Sequence, residues 1–466
     1  MRKKLDLFLV SPPASLKEVM QKIDLNGHGI ALVVNDAHKL LGLVTDGDIR
    51  RSIIKGVSLA IPIEEIMNQK LVTVKVGFTS AEVSAVLKDR RYIHHLPVVD
   101  TNNIVQDLLL RDEISNLISH PSILFTKESS PSRNKKILIT GGAGYIGSIL
   151  TQQLLEKGYQ VTVLDKFIFG KSSLAAVKSN PHLTIIEGDV NHLEKVIAAL
   201  HNVDTVVHLA EIVGDPACSI DPLATQQINY LSTTVVANAC KHFQINRFIY
   251  ASSCSAYGAT TDSELLHEKS ALNPLSLYAR MKVESERAIL SLADGLFSPT
   301  ILRFATVFGE SSRMRFDLVV NTLALKAFKE GKITIFGGNQ WRPFIHVSDL
   351  ARAITMVIEA PLEKVQGEIF NVGSNENNFT INQIGQLVKE IIPHAELITT
   401  ETNGDLRNYR VDFSKIFRTL GFQPLVGVKQ GIAETFRALQ QGQYQDHQNN
   451  IYYNDRWYSQ QLQKNG

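Results

Sequence analysis

The sequence of 466 residues has few cysteines, no excess of either charge and no long apolar run. Three cysteines are too few for a disulfide framework. The 48 Lys and Arg residues nearly balance the 46 Asp and Glu residues, and no basic block stands out, which argues against a nucleic-acid or anionic-membrane surface. The sequence has no stretch of 18 apolar residues, the length that a membrane span needs. The apolar run near the N-terminus is short and interrupted by Asp6, which makes it a poor signal peptide. We therefore expect a cytoplasmic protein, and nothing in the pattern predicts a metal site.

What the sequence does contain is the composition of a folded protein. Hydrophobic residues make up 44% and charged residues 20%, which excludes a disordered or collagen-like chain. At roughly 150 residues per domain, the length allows about three domains. A polar stretch with Ser and Pro over residues 126–136 separates two regions of apolar periodicity and is typical of a linker. We predict an N-terminal region over residues 1–126, a linker over 127–135 and a larger α/β region from residue 136.

The N-terminal region contains a weak internal repeat. Residues 29–48 and 96–112 share one order of elements: a strand, a turn, a second strand and an acidic helix start, at Ile49 in the first copy. Helical patterns over residues 15–23 and 80–90 precede the two copies. On these features, the first 125 or so residues resemble a tandem pair of cystathionine-β-synthase-type (CBS) domains.

That resemblance implies an adenosine-nucleotide site in the first copy. The segment Gly42-Leu-Val-Thr45-Asp-Gly-Asp48 matches the family's ribose-binding pattern, with Thr45 and Asp48 as the contacts. In the second copy Gln106 and Leu109 replace the Gly and Thr, and only Asp112 remains. A second interpretation stays open, in which Thr45 and Asp48 simply cap the following helix.

A dinucleotide-binding fingerprint follows the linker. Residues 136–150 read Lys-Ile-Leu-Ile-Thr-Gly-Gly-Ala-Gly-Tyr-Ile-Gly-Ser-Ile-Leu, a buried strand, a Gly-rich turn and the start of a helix reaching about Lys157. The next strand ends in Asp165, whose carboxylate suits both hydroxyls of an adenosine ribose and would repel a 2′-phosphate. Further short apolar runs alternate with helical patterns, which predicts a parallel, doubly wound sheet. We therefore expect NAD as the cofactor.

A phenol and an ammonium lie one helical turn apart in Tyr278-Ala-Arg-Met-Lys282. A positive charge about 4 Å from a phenolate, at an effective dielectric near 20, stabilises it by roughly 4 kcal/mol, enough to bring a pKa of about 10 to about 7. Such a group suits general acid–base catalysis at neutral pH. Ser253 ends an upstream strand, where its hydroxyl can bond the reacting oxygen.

These motifs together resemble the extended short-chain dehydrogenase/reductase family over about residues 135 to 425, closest to its nucleotide-sugar epimerase and dehydratase branch. The resemblance implies an α/β fold, in which an N-terminal CBS pair precedes a Rossmann domain over residues 136–310. A smaller, mixed α/β substrate lobe over 311–440, interleaved with the Rossmann domain, and a tail over 441–466 follow. Catalysis is assigned to Ser253, Tyr278 and Lys282. The implied cofactor contacts are Gly141, Gly144, Tyr145, Ile146, Gly147, Asp165, Lys166, Asp189, Val190, Leu209, Ala210 and Asn229.

The same resemblance implies contacts to a nucleotide-sugar substrate, and a homodimer or homotetramer. The predicted substrate contacts are Thr306, Asn321, Phe336, Arg342 and Arg410. Thr306 stands where the branch often has Asn, and Glu211 stands where a small residue often follows His-Leu-Ala. After Ser253, related dehydratases and decarboxylases carry an acidic residue where this chain has Cys254-Ser255.

We therefore expect an epimerase acting at C4 through a keto-sugar intermediate, with adenosine nucleotide at the CBS pair as a regulator. The enzymatic alternatives are a 4-ketoreductase, a decarboxylase, and a dehydratase that uses Glu211. The alternative without catalysis is a nucleotide-sensing regulatory protein.

Overall fold

The computed structural model describes residues 5–87, 93, 95–110, 136–260, 265–294, 297–401 and 407–465. It divides into two compact units, residues Met1–Ser132 and Arg133–Gly466. Among the helices in these ranges, none combines the length and apolarity needed to cross a membrane.

The N-terminal unit repeats one small fold, as the sequence predicts. Each copy has a sheet in which the central strand pairs parallel with one neighbour and antiparallel with the other. The two hairpins also share a bulge and a turn residue with positive φ, His38 at 56° and Asn103 at 69°. The elements are Leu9–Val10 (β1), Leu16–Asn26 (α1), Ile30–Val34 (β2), Leu40–Thr45 (β3), Asp46–Ile54 (α2), Val74–Lys75 (β4), Ser80–Leu87 (α3), His95–Val99 (β5) and Val105–Leu110 (β6).

One boundary in this unit differs from the prediction. Helix α2 begins at Asp46 and not at Ile49, because Thr45 is its N-cap and Asp48 bonds back to the Thr45 backbone. This capping box satisfies backbone N–H groups of the first turn and so starts the helix earlier. The predicted acidic helix start at Asp112 lies outside the described residues.

The C-terminal unit contains the predicted doubly wound sheet. Its strands are Lys136–Thr140 (β7), Gln160–Asp165 (β8), Leu183–Glu187 (β9), Thr205–His208 (β10), Arg247–Ser253 (β11), Ser298–Phe304 (β12) and Ile369–Val372 (β16). These seven strands run parallel in the order β9-β8-β7-β10-β11-β12-β16. The strand order reverses between β7 and β10, and in such sheets ligands bind at the carboxyl ends of the strands at that point.

Helices cover both faces of this sheet, and the central strands are buried because apolar side chains project from each face. The helices that follow the first strands are Tyr145–Glu156 (α4), Leu193–Ala199 (α5), Asp215–Ile220 (α6), Pro222–Gln226 (α7), Thr233–His242 (α8) and Leu277–Ser291 (α9). A π-helical segment, Gln227–Ser232, joins α7 to α8.

A smaller mixed lobe has its own apolar core. Its strands are Thr306–Phe308 (β13), Lys332–Phe336 (β14), Trp341–His346 (β15), Asn378–Thr380 (β17) and Glu396–Thr400 (β18). The helices of the second half of the unit are Val319–Glu330 (α10), Val347–Glu359 (α11), Ile381–Ile391 (α12), Ser414–Leu420 (α13), Val428–Gln440 (α14) and Asn454–Asn465 (α15).

Candidate active site

The glycine-rich turn between β7 and α4 forms a backbone cradle with no room for side chains. A Cβ at Gly147 would lie 2.2 Å from the carbonyl oxygen of Gly141, and one at Gly141 would lie 2.9 Å from the backbone nitrogen of Ala210. The φ of Gly141 is +73°, which disfavours other residues. No side chain caps α4, whose N-cap is Gly144. A helix N-terminus of this kind favours the negative charge of a diphosphate.

Asp165 ends β8 beside this cradle, as predicted. Its carboxylate accepts hydrogen bonds from the backbone N–H groups of Ala143 at 2.9 Å and Phe167 at 2.7 Å. Burial raises the pKa of Asp165 against the lowering effect of these two bonds. The next strand leads to Asp189, which pairs with Lys166 at 2.8 Å. Carboxylates thus follow β8 and β9, where the adenosine end of a dinucleotide would lie.

The three predicted catalytic residues converge at the carboxyl edge of the sheet. Ser253 is the last residue of β11, and Tyr278 and Lys282 lie one turn apart near the start of α9. Ser276 caps this helix by accepting from the N–H of Ala279 at 3.1 Å. The Ser253 hydroxyl accepts from the N–H of Ser255 at 3.1 Å, and it lies near enough to the Tyr278 phenol to lower that group's pKa. The nitrogen of Lys282 lies 5.5 Å from the centre of the Tyr278 ring.

The environment of Lys282 differs from the sequence prediction. Its ammonium is buried, forms an ion pair with Glu211 and donates to the carbonyl oxygen of Ala251. Burial first, and then the negative charge of Glu211, raise the pKa of the Tyr278 phenol. The expectation that Lys282 brings this pKa towards neutrality was therefore wrong, because the ammonium is matched by a carboxylate.

Asn229 holds the loop that carries Glu211. Its side-chain amide donates to the carbonyl oxygen of Ile212 at 2.8 Å and accepts from the N–H of Ile212 at 2.9 Å. Asn229 lies in the π-helical segment, a conformation frequent at functional sites. In this structure the amide is used to fix the loop, and its predicted contact with cofactor stays a prediction.

Helix α15 lies against the same region, a position that the sequence did not reveal. Tyr458 and Tyr278 both pack against the buried cluster of Ile212, Ala217 and Cys218. Trp457 contacts Phe169, with ring centres 5.2 Å apart, in the loop that follows β8. The aromatic residues of the tail were visible in the sequence, but only tertiary contacts define their partners.

Cys254 is a buried residue whose surroundings indicate that it packs in the core. Its side chain is 1% exposed, it lies against the carbonyl oxygen of Arg303 at 3.3 Å, and burial raises its pKa. A thiol in such surroundings is a poor nucleophile.

The predicted substrate residues differ in their exposure and in their present bonds. Phe336, at the end of β14, is 55% exposed and accessible to a ligand. By contrast, Asn321 is fully buried, and its amide serves the N–H of Gly309 and the carbonyl oxygen of Arg315. The remaining positions are Thr306 in β13, Arg342 in β15, which donates to the carbonyl oxygen of Trp341 at 2.7 Å, and Arg410, whose guanidinium lies 4.8 Å from the centre of the Trp341 ring.

Tyr145, a predicted cofactor contact, has a structural bond of its own. It is buried, with its phenol donating to the carbonyl oxygen of Gly309 at 2.7 Å, and this bond joins α4 to the loop after β13. Its contact with cofactor stays a prediction. The other predicted cofactor positions, Ile146, Val190 and Leu209, lie at or near the carboxyl edge, after β7, β9 and β10 respectively.

Residues 137–373 match the NAD dependent epimerase/dehydratase family, which is half of the chain. The chain belongs to this family. As a member of the NAD dependent epimerase/dehydratase family it carries an NAD-binding unit, and the cradle, the uncapped helix and Asp165 fit that cofactor. The N-terminal residues 1–55 and 63–120 match the CBS domain, so the predicted fusion of a CBS pair to an epimerase-type unit is confirmed.

Relatives of this epimerase-type chain include proteins with several reactions. An uncharacterized UDP-glucose epimerase of Bacillus subtilis, YtcB, is 30% identical over 65% of this chain and 98% of its own length. UDP-glucuronic acid decarboxylase 1 of Danio rerio is 27% identical over 70% of this chain and 77% of its length. The solved structure of UDP-glucuronic acid 4-epimerase from Bacillus cereus, with UDP-glucuronic acid and NAD, has a TM-score of 0.60 and 28% identity, and covers 66% of this chain and 99% of that one.

In the CBS pair, Thr45 and Asp48 bond to each other. The Thr45 hydroxyl donates to Asp48 at 2.7 Å, and the second carboxylate oxygen of Asp48 pairs with Arg51 at 2.5 Å. Thr45 and Asp48 therefore do cap helix α2. Whether they also bind a nucleotide is not decided by the cap, and the nucleotide-binding interpretation stays a prediction.

Proposed function

We propose that the C-terminal unit is an NAD-dependent epimerase acting at C4 of a uridine diphosphate sugar. The observation that carries this proposal is the convergence of Ser253, Tyr278 and Lys282 at the carboxyl edge of the sheet, whose first turn forms a cradle suited to a dinucleotide. The uridine diphosphate part rests on the relatives, which include an epimerase bound to UDP-glucuronic acid and NAD.

In this proposal, the chain's residues supply proton transfer and orientation. The cradle and Asp165 would hold NAD, which when bound would supply reversible hydride transfer with the sugar carbon. Tyr278 takes the proton of the C4 hydroxyl and later gives it back, while the Ser253 hydroxyl orients the same oxygen. The Lys282 ammonium lies over one face of the Tyr278 ring, 5.5 Å from its centre, and stabilises the phenolate when the proton is lost. Phe336, Arg342 and Arg410 are proposed to hold the nucleotide part of the substrate, as the family resemblance implies.

Cys254 and Ser255 argue against dehydration and decarboxylation. Neither side chain is a carboxylic acid, so the acid that related dehydratases and decarboxylases carry at this place is missing. The carboxylate of Glu211 is 2% exposed and occupied by Lys282 and Tyr250. This occupation argues against Glu211 as a free acid for dehydration.

The reaction can be identified by NMR of UDP-glucose, UDP-galactose and UDP-glucuronic acid incubated with the full chain. We expect interconversion of C4 epimers without net consumption of NAD and without release of carbon dioxide. Net use of NADH would indicate a ketoreductase, a deoxy-keto sugar a dehydratase, and no turnover of any sugar a regulatory protein.

Replacing the Tyr278 phenol tests its proposed role in proton transfer. Tyr278→Phe should lower kcat by about 10² to 10⁴ fold, the usual contribution of a general acid–base group. Tyr159→Phe removes a phenol that donates to Glu359 at the surface, away from the site, and should leave kcat unchanged. Equal rates for both variants would contradict the proposal.

We also propose that the CBS pair binds an adenosine nucleotide at Thr45 and Asp48 and thereby regulates the epimerase unit. Support comes from the intact ribose-binding pattern of the first copy and from the match of both copies to the CBS domain. Cytoplasmic location and assembly into a homodimer or homotetramer stay predictions.

A further inference from the structure

Glu211 is a buried carboxylate that the proposed proton transfer does not use. It follows β10 in the loop fixed by Asn229, and its side chain is 2% exposed. One carboxylate oxygen accepts from the Tyr250 phenol at 2.7 Å, and the other pairs with the ammonium of Lys282. A carboxylate at this depth is stable in its charged form only with such partners.

The partners of Glu211 reach the catalytic phenol directly. The Lys282 nitrogen lies 4.9 Å from the centre of the Tyr250 ring and 5.5 Å from that of Tyr278. Glu211 and the carbonyl oxygen of Ala251 therefore hold the ammonium between two aromatic rings. A long flexible side chain such as Lys needs such anchors to keep one position.

We propose that Glu211 is a positioning residue of the catalytic centre, which fixes the Lys282 ammonium beneath Tyr278 and offsets its positive charge. The proposal rests on the assignment of Tyr278 as the acid–base group. It gives the chain a Lys–Glu ion pair without net charge beside the phenol, where the spacing of Tyr278 and Lys282 indicates the cation only. Tyr278 then stays protonated until another positive charge lies beside it.

Other groups around Tyr278 also affect the pKa of its phenol. Burial and the Glu211 charge raise the pKa of its phenol, and so do Cys218 and Asp215, while the hydrogen bond from Ser253 lowers it. The titratable and charged groups that face Tyr278 are Glu211 after β10, Asp215 and Cys218 on α6, Tyr250 on β11, Lys282 on α9, Arg315 before α10, and Tyr458 on α15, which packs on the shared apolar cluster.

The test measures the phenol itself, independently of turnover. Tyrosinate absorbance at alkaline pH is measured for each protein and for the same protein carrying Tyr278→Phe. The difference between the two curves is the titration of Tyr278, because the other 11 tyrosines contribute equally to both. We expect E211Q to move the Tyr278 midpoint to lower pH by about one to two pH units, because a nearby negative charge is lost. The rising limb of kcat/KM against pH should move in the same direction.

Three further variants make the result specific. E211D keeps the charge and should stay near the wild-type midpoint, and E284Q, which removes an exposed carboxylate of the same helix as Tyr278, should have no effect. If E211Q does not fold, E211M gives the same comparison with a neutral side chain of similar length.

An unchanged or higher midpoint in the neutral variants, or an equal shift in E211D, would overturn the role of Glu211. A chain that shows the expected titration but turns over no sugar nucleotide would instead refute the proposed function.

Discussion

At the scale of single residues, burial decides the charge of the catalytic centre more than sequence spacing does. The Tyr278–Lys282 spacing correctly predicts that the two side chains are neighbours on α9. The opposite effect of Glu211 could not be derived from that spacing, because its contact depends on how the loop after β10 packs. Glu211 was visible only as an unexpected carboxylate after His208-Leu-Ala.

His208 shows the same influence of burial and gives a pH-dependent prediction. It is fully buried between the hydroxyls of Thr140 and Thr233, at 2.7 and 3.0 Å. Burial, and then the charge of Lys282, lower its pKa to about 3. In the unfolded chain its pKa is about 6.5. Between these values the unfolded state binds the extra proton, so the stabilising contribution is present above about pH 6.5 and is lost as the pH falls.

We expect the wild-type protein to lose up to about 1.4 kcal/mol per pH unit from this group as the pH falls below 6.5. H208Q should lack this part of the decline, although it is less stable at neutral pH because the ring's packing is lost. Urea unfolding of the C-terminal unit at several pH values measures the difference. H182Q, which removes an exposed imidazole, serves as the control, and parallel curves for H208Q and wild type would contradict the expectation.

At the scale of elements, the sequence predicts the strand–turn–helix of the cofactor site closely. The helix expected to reach about Lys157 ends at Glu156, and the strands ending at Asp165 and Ser253 have the expected ends. Gly, apolar runs and caps act locally, which explains this success. The early start of α2 was missed because Thr45 and Asp48 fit two patterns at once.

Gly147 tests the cradle as an element. Gly147→Ala places a methyl group 2.2 Å from the carbonyl oxygen of Gly141, so the turn must open. We expect a loss of about 1–3 kcal/mol in the free energy of unfolding, with NAD affinity reduced at least tenfold, measured by urea unfolding and by calorimetric NAD titration. Gly427→Ala has open space around the new methyl group and is the control. Normal NAD affinity in Gly147→Ala would argue against the cradle.

At the scale of the whole molecule, the two units have separate apolar cores. The sheets of the N-terminal unit enclose their own buried clusters, and the seven-stranded sheet and the smaller lobe enclose others. Sequence composition predicted this division from the polar stretch alone. The partners of helix α15 were not predictable, since an amphipathic tail does not specify which surface it covers.

Separate cores predict two thermal transitions, each moved by its own ligand. A ligand at 100 times its Kd adds about 2.7 kcal/mol to the unit that binds it. In calorimetry, NAD should raise the transition of the C-terminal unit by the larger amount, and ATP should raise that of the CBS pair by the larger amount. Asp48→Ala should abolish the ATP effect. Glu18→Ala removes the equivalent acid of the capping box in α1 and should retain it. A response to ATP that persists in Asp48→Ala would refute the site.

The two tryptophans of the chain lie at separate places around the proposed ligand sites. Trp457 contacts Phe169 in the loop after Asp165, and the Trp341 ring contacts the Arg410 guanidinium in the smaller lobe. Replacing either one by Phe leaves a single indole emitter in the molecule. Energy transfer from Trp457 to reduced nicotinamide, and quenching of Trp341 by a sugar nucleotide, would then follow the arrival of each ligand optically in real time.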